Sequence, residues 1–305
     1  MRILFRAPNW VGDAVLSTSI LKELLNEYED VFIGLREYVS PVFEGFNKEM
    51  LFLGKNPFDN GKIIEKYRFD ISFIFTPSFS SALETFIGKS KERIGFPTDK
   101  RHLLLTKRIK TDKEHLIDQY RDIVKDYVEL NYFNPEIPGI KKRYKKEKYA
   151  GIDMKSAFGP SREWKIEGFK KIAYFLEGIG FKVIQVGKEY QVSLTEKTIN
   201  LTGKTTLKEL IEIISEISLF ISVDTGSMHI AGALGIPQVA FYLSTSPEWT
   251  APFYNRDFLL IRADAKCSPC FKRTCKYKDY HCRDIDIEIV LKKIGGFIEK
   301  SGCLR

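Results

Sequence analysis

No apolar run among the 305 residues approaches the ~18 needed to cross a bilayer, so a spanning helix is not expected. The opening Met1-Arg2-Ile3-Leu4-Phe5-Arg6 is too short and too charged for a secretory signal, so a cytoplasmic location is expected. No recognised nucleic-acid motif accompanies the charge, so nucleic acid is not an expected partner. There is no sequence repeat beyond a recurring strand–helix rhythm. The five cysteines lack the long gap that separates two metal knuckles.

What is present is ordinary for a globular protein: 44% hydrophobic and 29% charged residues. The length suits two domains of about 150 residues each. Net charge is +8, with 48 Lys and Arg. Much of it is local, in Lys141-Lys142-Arg143-Tyr144-Lys145-Lys146-Glu147-Lys148. A basic balance suits anionic partners such as phosphorylated sugars and acidic membrane surfaces, and equally a solvated linker.

Short apolar runs alternate with amphipathic stretches, the pattern of a parallel α/β sheet. Residues 2–6 read as a strand, residues 14–28 as a helix with Val15, Ile20, Leu21, Leu24 and Leu25 at helical spacing. Val31–Leu35 and residues 71–75 are further strands, and a helix is expected over 116–129. The Asn134-Pro135-Glu136-Ile137-Pro138-Gly139 breakers and the basic run mark the boundary between a first domain, 1–140, and a second, 149–305. The second half restarts with a strand at 149–152, a helix at 167–176 and a strand at 181–186. Thr206 and Glu209 form a capping box. A helix over 286–300, interrupted by Gly295-Gly296, closes the chain. Two doubly wound Rossmann-like domains facing a cleft is the expected assembly, with ligands at the carboxyl ends of the strands.

The richest stretch is LFISVDTGSMHIAGALGIP, residues 219–237: a buried strand, a polar turn and a small-residue helix. A helix start offers unpaired N–H groups and about half a positive charge, a ready anion site. Asp224, Thr225, Gly226 and Ser227 crowd that turn, and Gly226 has no Cβ to hold a phosphate away. A helix capped by Asp224 or Thr225 is the plainer alternative. His229, one turn in, tips the reading toward a diphosphate.

Gly12-Asp13 repeats the geometry at the first strand–helix junction. Asp13 serves equally as a helix cap or as a general base. Arg162 and Lys165, in the loop after the second domain's first strand, are candidates to neutralise phosphate, Arg by a bidentate fork. Ser78 and Ser80 end a Phe-rich strand in FDISFIFTPSFSSALETF, as sugar contacts or as caps of a helix starting near Ser81. Cys267, Cys270, Cys275 and Cys282 leave three readings open: a structural zinc site with His281 as a spare ligand, disulfides, or reduced thiols in a packed loop. Asp284-Ile285-Asp286 resembles a metal-holding Asp-x-Asp but suits a helix start.

Taken in order, Pro8-Asn9-Trp10-Val11-Gly12-Asp13, Pro77-Ser78-Phe79-Ser80-Ser81-Ala82, Gly159-Pro160-Ser161-Arg162-Glu163-Trp164, Ser222-Val223-Asp224-Thr225-Gly226-Ser227-Met228-His229 and Ser244-Thr245-Ser246-Pro247-Glu248-Trp249-Thr250 resemble glycosyltransferase family 9. These are the ADP-heptose:lipopolysaccharide heptosyltransferases, and the likeness is greatest to the heptosyltransferase II branch, which the cysteine run from Cys267 to Cys275 also resembles. The resemblance implies the GT-B arrangement, with an N-terminal acceptor domain and a C-terminal ADP-sugar domain. It leaves the final helix free to pack back on the first. It implies inverting transfer of L-glycero-D-manno-heptose from ADP-heptose to a lipid A-linked core oligosaccharide, with no cofactor required. Asp13 then matches the catalytic base, and Thr225, Gly226 and His229 match diphosphate contacts, with Asp224 among the donor-site residues. Arg162 stands where the family usually carries a phosphate-binding Lys, and Glu189 matches an acidic residue near the adenosine. Trp10, Ser78 and Ser80 fall among acceptor or sugar contacts. Leu243 replaces a usual Gly, which would narrow the cleft if that backbone touches the sugar. The basic surface would meet the inner face of the inner membrane peripherally. An epimerase or a transferase of another sugar shares this architecture, and a non-catalytic nucleotide binder is a further alternative.

Overall fold

The computed structural model describes residues 1–143 and 147–303, so part of the basic run, residues 144–146, lies outside the described residues. The chain divides into two compact units, Met1–Gly139 and Ile140–Arg305.

The first unit is built from β1 (Ile3–Arg6), α1 (Val11–Glu27), β2 (Val31–Leu35), β3 (Met50–Phe52), α2 (Pro57–Glu65), β4 (Ile71–Ile74), α3 (Phe79–Ile87), β5 (Glu92–Gly95), β6 (Lys107–Arg108) and α4 (Leu116–Val124). All six strands are parallel, in the order β3-β2-β1-β4-β5-β6. Every residue of β1 and β4 is buried, as expected when helices cover both faces of a parallel sheet. Strand order reverses between β1 and β4, and the loops leaving their carboxyl ends open α1 and α3. That is where doubly wound sheets bind ligands.

A buried ion pair shapes this edge. Arg6 Nε donates to Glu84 Oε1 at 2.5 Å, with both side chains 1% exposed. Asn60 Nδ2 donates to the other Glu84 oxygen at 2.6 Å, while Arg6 Nη1 reaches the Ala7 carbonyl at 2.6 Å. Arg6 also donates to Asn9 Oδ1 at 3.3 Å. The pair thus pins the Ala7–Pro8–Asn9 backbone that leads into α1. Losing one partner of such a pair strands a buried charge.

The second unit comprises β7 (Tyr149–Asp153), α5 (Ile166–Gly178), β8 (Lys182–Gln185), β9 (Ile199–Asn200), α6 (Leu207–Ser215), β10 (Leu219–Val223), α7 (Gly226–Ala233), β11 (Gln238–Phe241), α8 (Pro247–Thr250), β12 (Phe258–Ile261) and α9 (Ile287–Ser301). Its parallel order, β12-β11-β10-β7-β8-β9, repeats the winding of the first sheet. The order reverses between β7 and β10. Trp164 stacks on Phe241 at 4.7 Å within the core and donates its indole N–H to the Arg283 carbonyl at 2.9 Å. The capping box at Thr206 and Glu209 forms as expected.

The structure departs from the sequence expectations at four helices. α1 begins at Val11 rather than residue 14, because Trp10 is extended and its carbonyl accepts from the Ala14 N–H at 2.8 Å. α3 begins at Phe79, ahead of the expected start near Ser81, because Ser78 Oγ caps it by accepting from the Ser81 N–H. α4 ends at Val124, short of residue 129; the chain turns there and sets Tyr127 edge-on to Phe73 at 5.2 Å. α9 runs unbroken through Gly295-Gly296, its cap supplied by Asp286, which accepts from the Glu288 N–H at 2.8 Å. Val290, Ile294 and Ile298 of α9 are buried in the core of the second unit itself.

Candidate functional site

In the second unit the candidate site lies at the carboxyl ends of β7 and β10. Asp224 follows β10, and its N–H donates to the Phe241 carbonyl at 3.2 Å. Thr225 is the residue before α7, extended at φ −149 and ψ 167, and makes no side-chain capping hydrogen bond. Asp224 does not cap α7 either. Its carboxylate turns the other way, 3.0 Å from Arg162 Nη1 and accepting from Thr245 Oγ1 at 2.6 Å. The two readings of the Asp-Thr-Gly turn therefore separate. The positive end of α7 has no side-chain cap at Thr225, and Asp224 anchors a cation beside it.

Arg162 sits on a short turn after β7. Its guanidinium lies 4.1 Å over the Phe158 ring, also donates to the Asp224 carbonyl at 3.3 Å, and keeps its buried Nε without a partner among the described residues. Lys165 is different: it is exposed and paired with Asp284 at 2.7 Å, an interaction of little energetic weight. His229 is buried in α7. Glu189 is exposed in the loop after β8, two residues beyond Gly187. Gly187 adopts φ +151, and a Cβ there would stand 2.9 Å from Gln191 Nε2 and 3.4 Å from Asp153 Oδ1. Leu243 is 1% exposed and packs into the core of the second unit, so its side chain is spent on packing.

Sequence reasoning passed over Asp153, the last residue of β7. It is buried, accepts from Ser227 Oγ in the first turn of α7 at 2.6 Å, and burial pushes its carboxyl up to about 6. Thr245 stands in sequence only within a family-like stretch, with no sign of its bond to Asp224, and the cysteine segment gives no sign of a bracing role. The Arg162 turn is braced by that segment: the Ser161 N–H donates to the Arg273 carbonyl at 3.1 Å and Ser161 Oγ to the Lys272 carbonyl. Arg283 donates to the Pro160 carbonyl, while the Cys270 and Phe271 N–H groups donate to the Ser244 carbonyl at 3.0 and 2.8 Å. The five cysteines are unbridged, and no His, Cys, Asp or Glu group among the described residues has metal-holding geometry. Burial, then the neighbouring Cys267, Cys270 and Cys275, pushes the Cys282 thiol up to about 11.

In the first unit, Asp13 lies within the first turn of α1, three residues after Trp10, so it is inside the helix rather than its cap. The carboxylate is partly buried and acts electrostatically on the fully buried Tyr120 of α4, whose phenol is raised by burial and then by Asp13. Trp10 is half-exposed at the head of α1. Ser78, the cap of α3, also lies 3.1 Å from Ser80 through their hydroxyls. Asp13 and Trp10 thus occupy the carboxyl end of β1, with Ser78 and Ser80 at that of β4. No described helix is long and apolar enough to cross a membrane.

Comparison with known proteins identifies the family. The family model for glycosyltransferase family 9 (heptosyltransferase) matches residues 59–281. The chain is 27% identical to lipooligosaccharide heptosyltransferase 2 of Campylobacter jejuni (serotype O:2), covering 99% of both chains. It is 25% identical to lipopolysaccharide heptosyltransferase 2 of Escherichia coli K12, covering 84% of this chain and 86% of that one. Among solved structures, E. coli ADP-heptose lps heptosyltransferase II shares the fold at TM-score 0.82 and 20% identity, covering 99% of this chain and 100% of that one. A match across nearly three-quarters of the chain, on a fold shared from end to end, leaves one conclusion: the chain belongs to glycosyltransferase family 9, the heptosyltransferase family, and is a glycosyltransferase.

Proposed function

We propose that the protein transfers L-glycero-D-manno-heptose from ADP-heptose to the inner core of lipopolysaccharide, with inversion at the anomeric carbon. In this reading the start of α7 receives the diphosphate, and Thr225, Gly226, His229 and Arg162 meet the charge that grows on the departing ADP. Glu189 lies toward the adenosine, and Trp10, Ser78 and Ser80 toward the acceptor. Asp13 takes the proton from the acceptor hydroxyl as that oxygen attacks. No cofactor is required. A basic surface would hold the enzyme at the inner face of the inner membrane, against phosphorylated lipid.

The observation that carries the reading is the α7 turn. Thr225 leaves the helix start without a side-chain cap, and Arg162, fixed by Asp224, keeps one buried N–H unpartnered beside it. Helix starts of this kind bind phosphate through backbone N–H groups. The family membership and the relatives named heptosyltransferase 2 support the choice of sugar and acceptor.

The test is a transfer assay with purified protein, ADP-heptose and a heptose-bearing core acceptor, read by mass spectrometry and by NMR at the new anomeric centre. The expected result is an acceptor heavier by one heptosyl residue, of configuration opposite to the donor. A rearranged donor sugar without acceptor, or ADP binding without transfer, would contradict it.

A further inference from the structure

Two carboxylates are buried at the carboxyl edge of the second sheet, and only one is neutralised. Asp224 has the Arg162 guanidinium at 3.0 Å. Asp153 has no cation within ion-pair distance among the described residues. Its carboxylate accepts from the Ser227 hydroxyl at 2.6 Å and from the Lys155 backbone N–H at 3.3 Å, both neutral donors.

Among the described residues no charged side chain is paired with Asp153 to compensate it. Ser222 of β10, paired with Asp153 in the sheet, is uncharged, as are Gly187 and Gln191 of the loop after β8. The titratable and charged groups on the adjoining elements are His229 on α7, Asp224 with its partner Arg162, Lys155 and Glu163 after β7, and the exposed Lys188 and Glu189 after β8. Among these Glu163 acts on Asp153 and opposes its ionisation, although Glu163 itself pairs with Lys155 Nζ at 2.7 Å. The Asp153 carboxyl, pushed up by burial to about 6, is thus ionised at neutral pH but only narrowly.

A diphosphate at the start of α7 would arrive beside the residue that donates to this carboxylate. Like charges brought together in a dry site favour protonation of the weaker acid. We propose that Asp153 is the proton-linked element of the donor site, its carboxylate gaining proton occupancy from solvent when a nucleotide diphosphate occupies the first turn of α7. The proton settles on a carboxylate oxygen and no other bond changes. The neutral acid no longer needs the Ser227 hydroxyl proton, which is released to donate toward a phosphate oxygen. Because uptake accompanies binding, donor affinity is highest below pH about 6 and falls as pH rises toward the higher value of the occupied site. This inference rests on the reading of α7 as the diphosphate site.

The test is calorimetry on the full chain with ADP-heptose and no acceptor, since a pyrophosphate diester does not titrate in this range. Binding is measured at pH 6.5 in two buffers of different ionisation enthalpy, then at pH 5.5 and 8. The wild type is expected to take up protons and to bind about tenfold more weakly at pH 8 than at pH 5.5, for a rise of about one unit on binding. Asp153→Asn keeps an oxygen to accept from Ser227, and is expected to abolish the uptake and flatten the pH dependence to less than about twofold. Tight binding by the wild type without proton uptake overturns the inference while leaving the donor-site reading intact, and so does uptake that persists in Asp153→Asn. Failure of ADP-heptose to bind at all would remove both.

Discussion

Asp13→Ala is expected to lower kcat by about 100- to 10,000-fold, the range that a positioned general base contributes. The Kd for ADP-heptose should stay within about twofold, because the base acts on the acceptor hydroxyl in the transition state. The two roles available to Asp13 predict different outcomes. As an acid in the first turn of α1 it would add ~0.3–1 kcal/mol to stability and nothing to turnover. As the base, its loss appears in kcat. Steady-state kinetics beside a denaturation curve distinguish them, and wild-type kcat in Asp13→Ala would leave the residue a helix-start acid only. Asp13→Asn serves as the size-matched companion, since it keeps the first turn while removing the basic oxygen.

Arg162→Ala is expected to reduce kcat/KM by about 100- to 1,000-fold, the loss typical of one preorganised contact to developing charge. It should also cost ~3–5 kcal/mol of stability, because Asp224, 3% exposed, would be left with Thr245 as its hydrogen-bond donor. The two effects can be separated. In Arg162→Ala with Asp224→Asn the stranded charge is gone, so stability should recover while activity does not. Arg162→Lys keeps the charge but loses the planar fork, the stacking over Phe158 and the second contact to the Asp224 carbonyl. It should fall between wild type and Arg162→Ala in both measurements. Equal loss of activity and stability that both return in the double variant would make Arg162 a structural residue.

Much of the fold was legible because its signals are local. β10 and β11 stand where continuous apolar runs end at turn residues, and the box at Thr206 and Glu209 needs only a spacing of three. Ends governed by tertiary contact were harder to read. The break after Val124 follows the seating of Tyr127 on Phe73, and α9 survives two glycines because its apolar stripe is buried. At the candidate site the Asp-Thr-Gly turn announced itself, but the division of labour within it did not. Asp224 reads as a cap in sequence; its engagement by Arg162 and Thr245 joins segments 62 and 21 residues away. Asp153 lies one residue past the expected strand, and only the arrival of α7, 74 residues later, makes it part of the site. The Arg6–Glu84 pair, 78 residues apart, carries no local signature. The cysteine segment leaves zinc, disulfides and reduced thiols all open in sequence; in the structure its thiols are unbridged and its backbone braces the Arg162 turn.

On the reading proposed above, amide hydrogens at the head of α7 grip the donor's diphosphate. A crystal structure of the protein with ADP tests it most directly. Phosphate oxygens are expected within ~2.7–3.2 Å of the Gly226 or Ser227 N–H groups, with Arg162 contributing from its place beside Asp224. Nucleotide bound away from α7, with that helix start left to solvent, would contradict it.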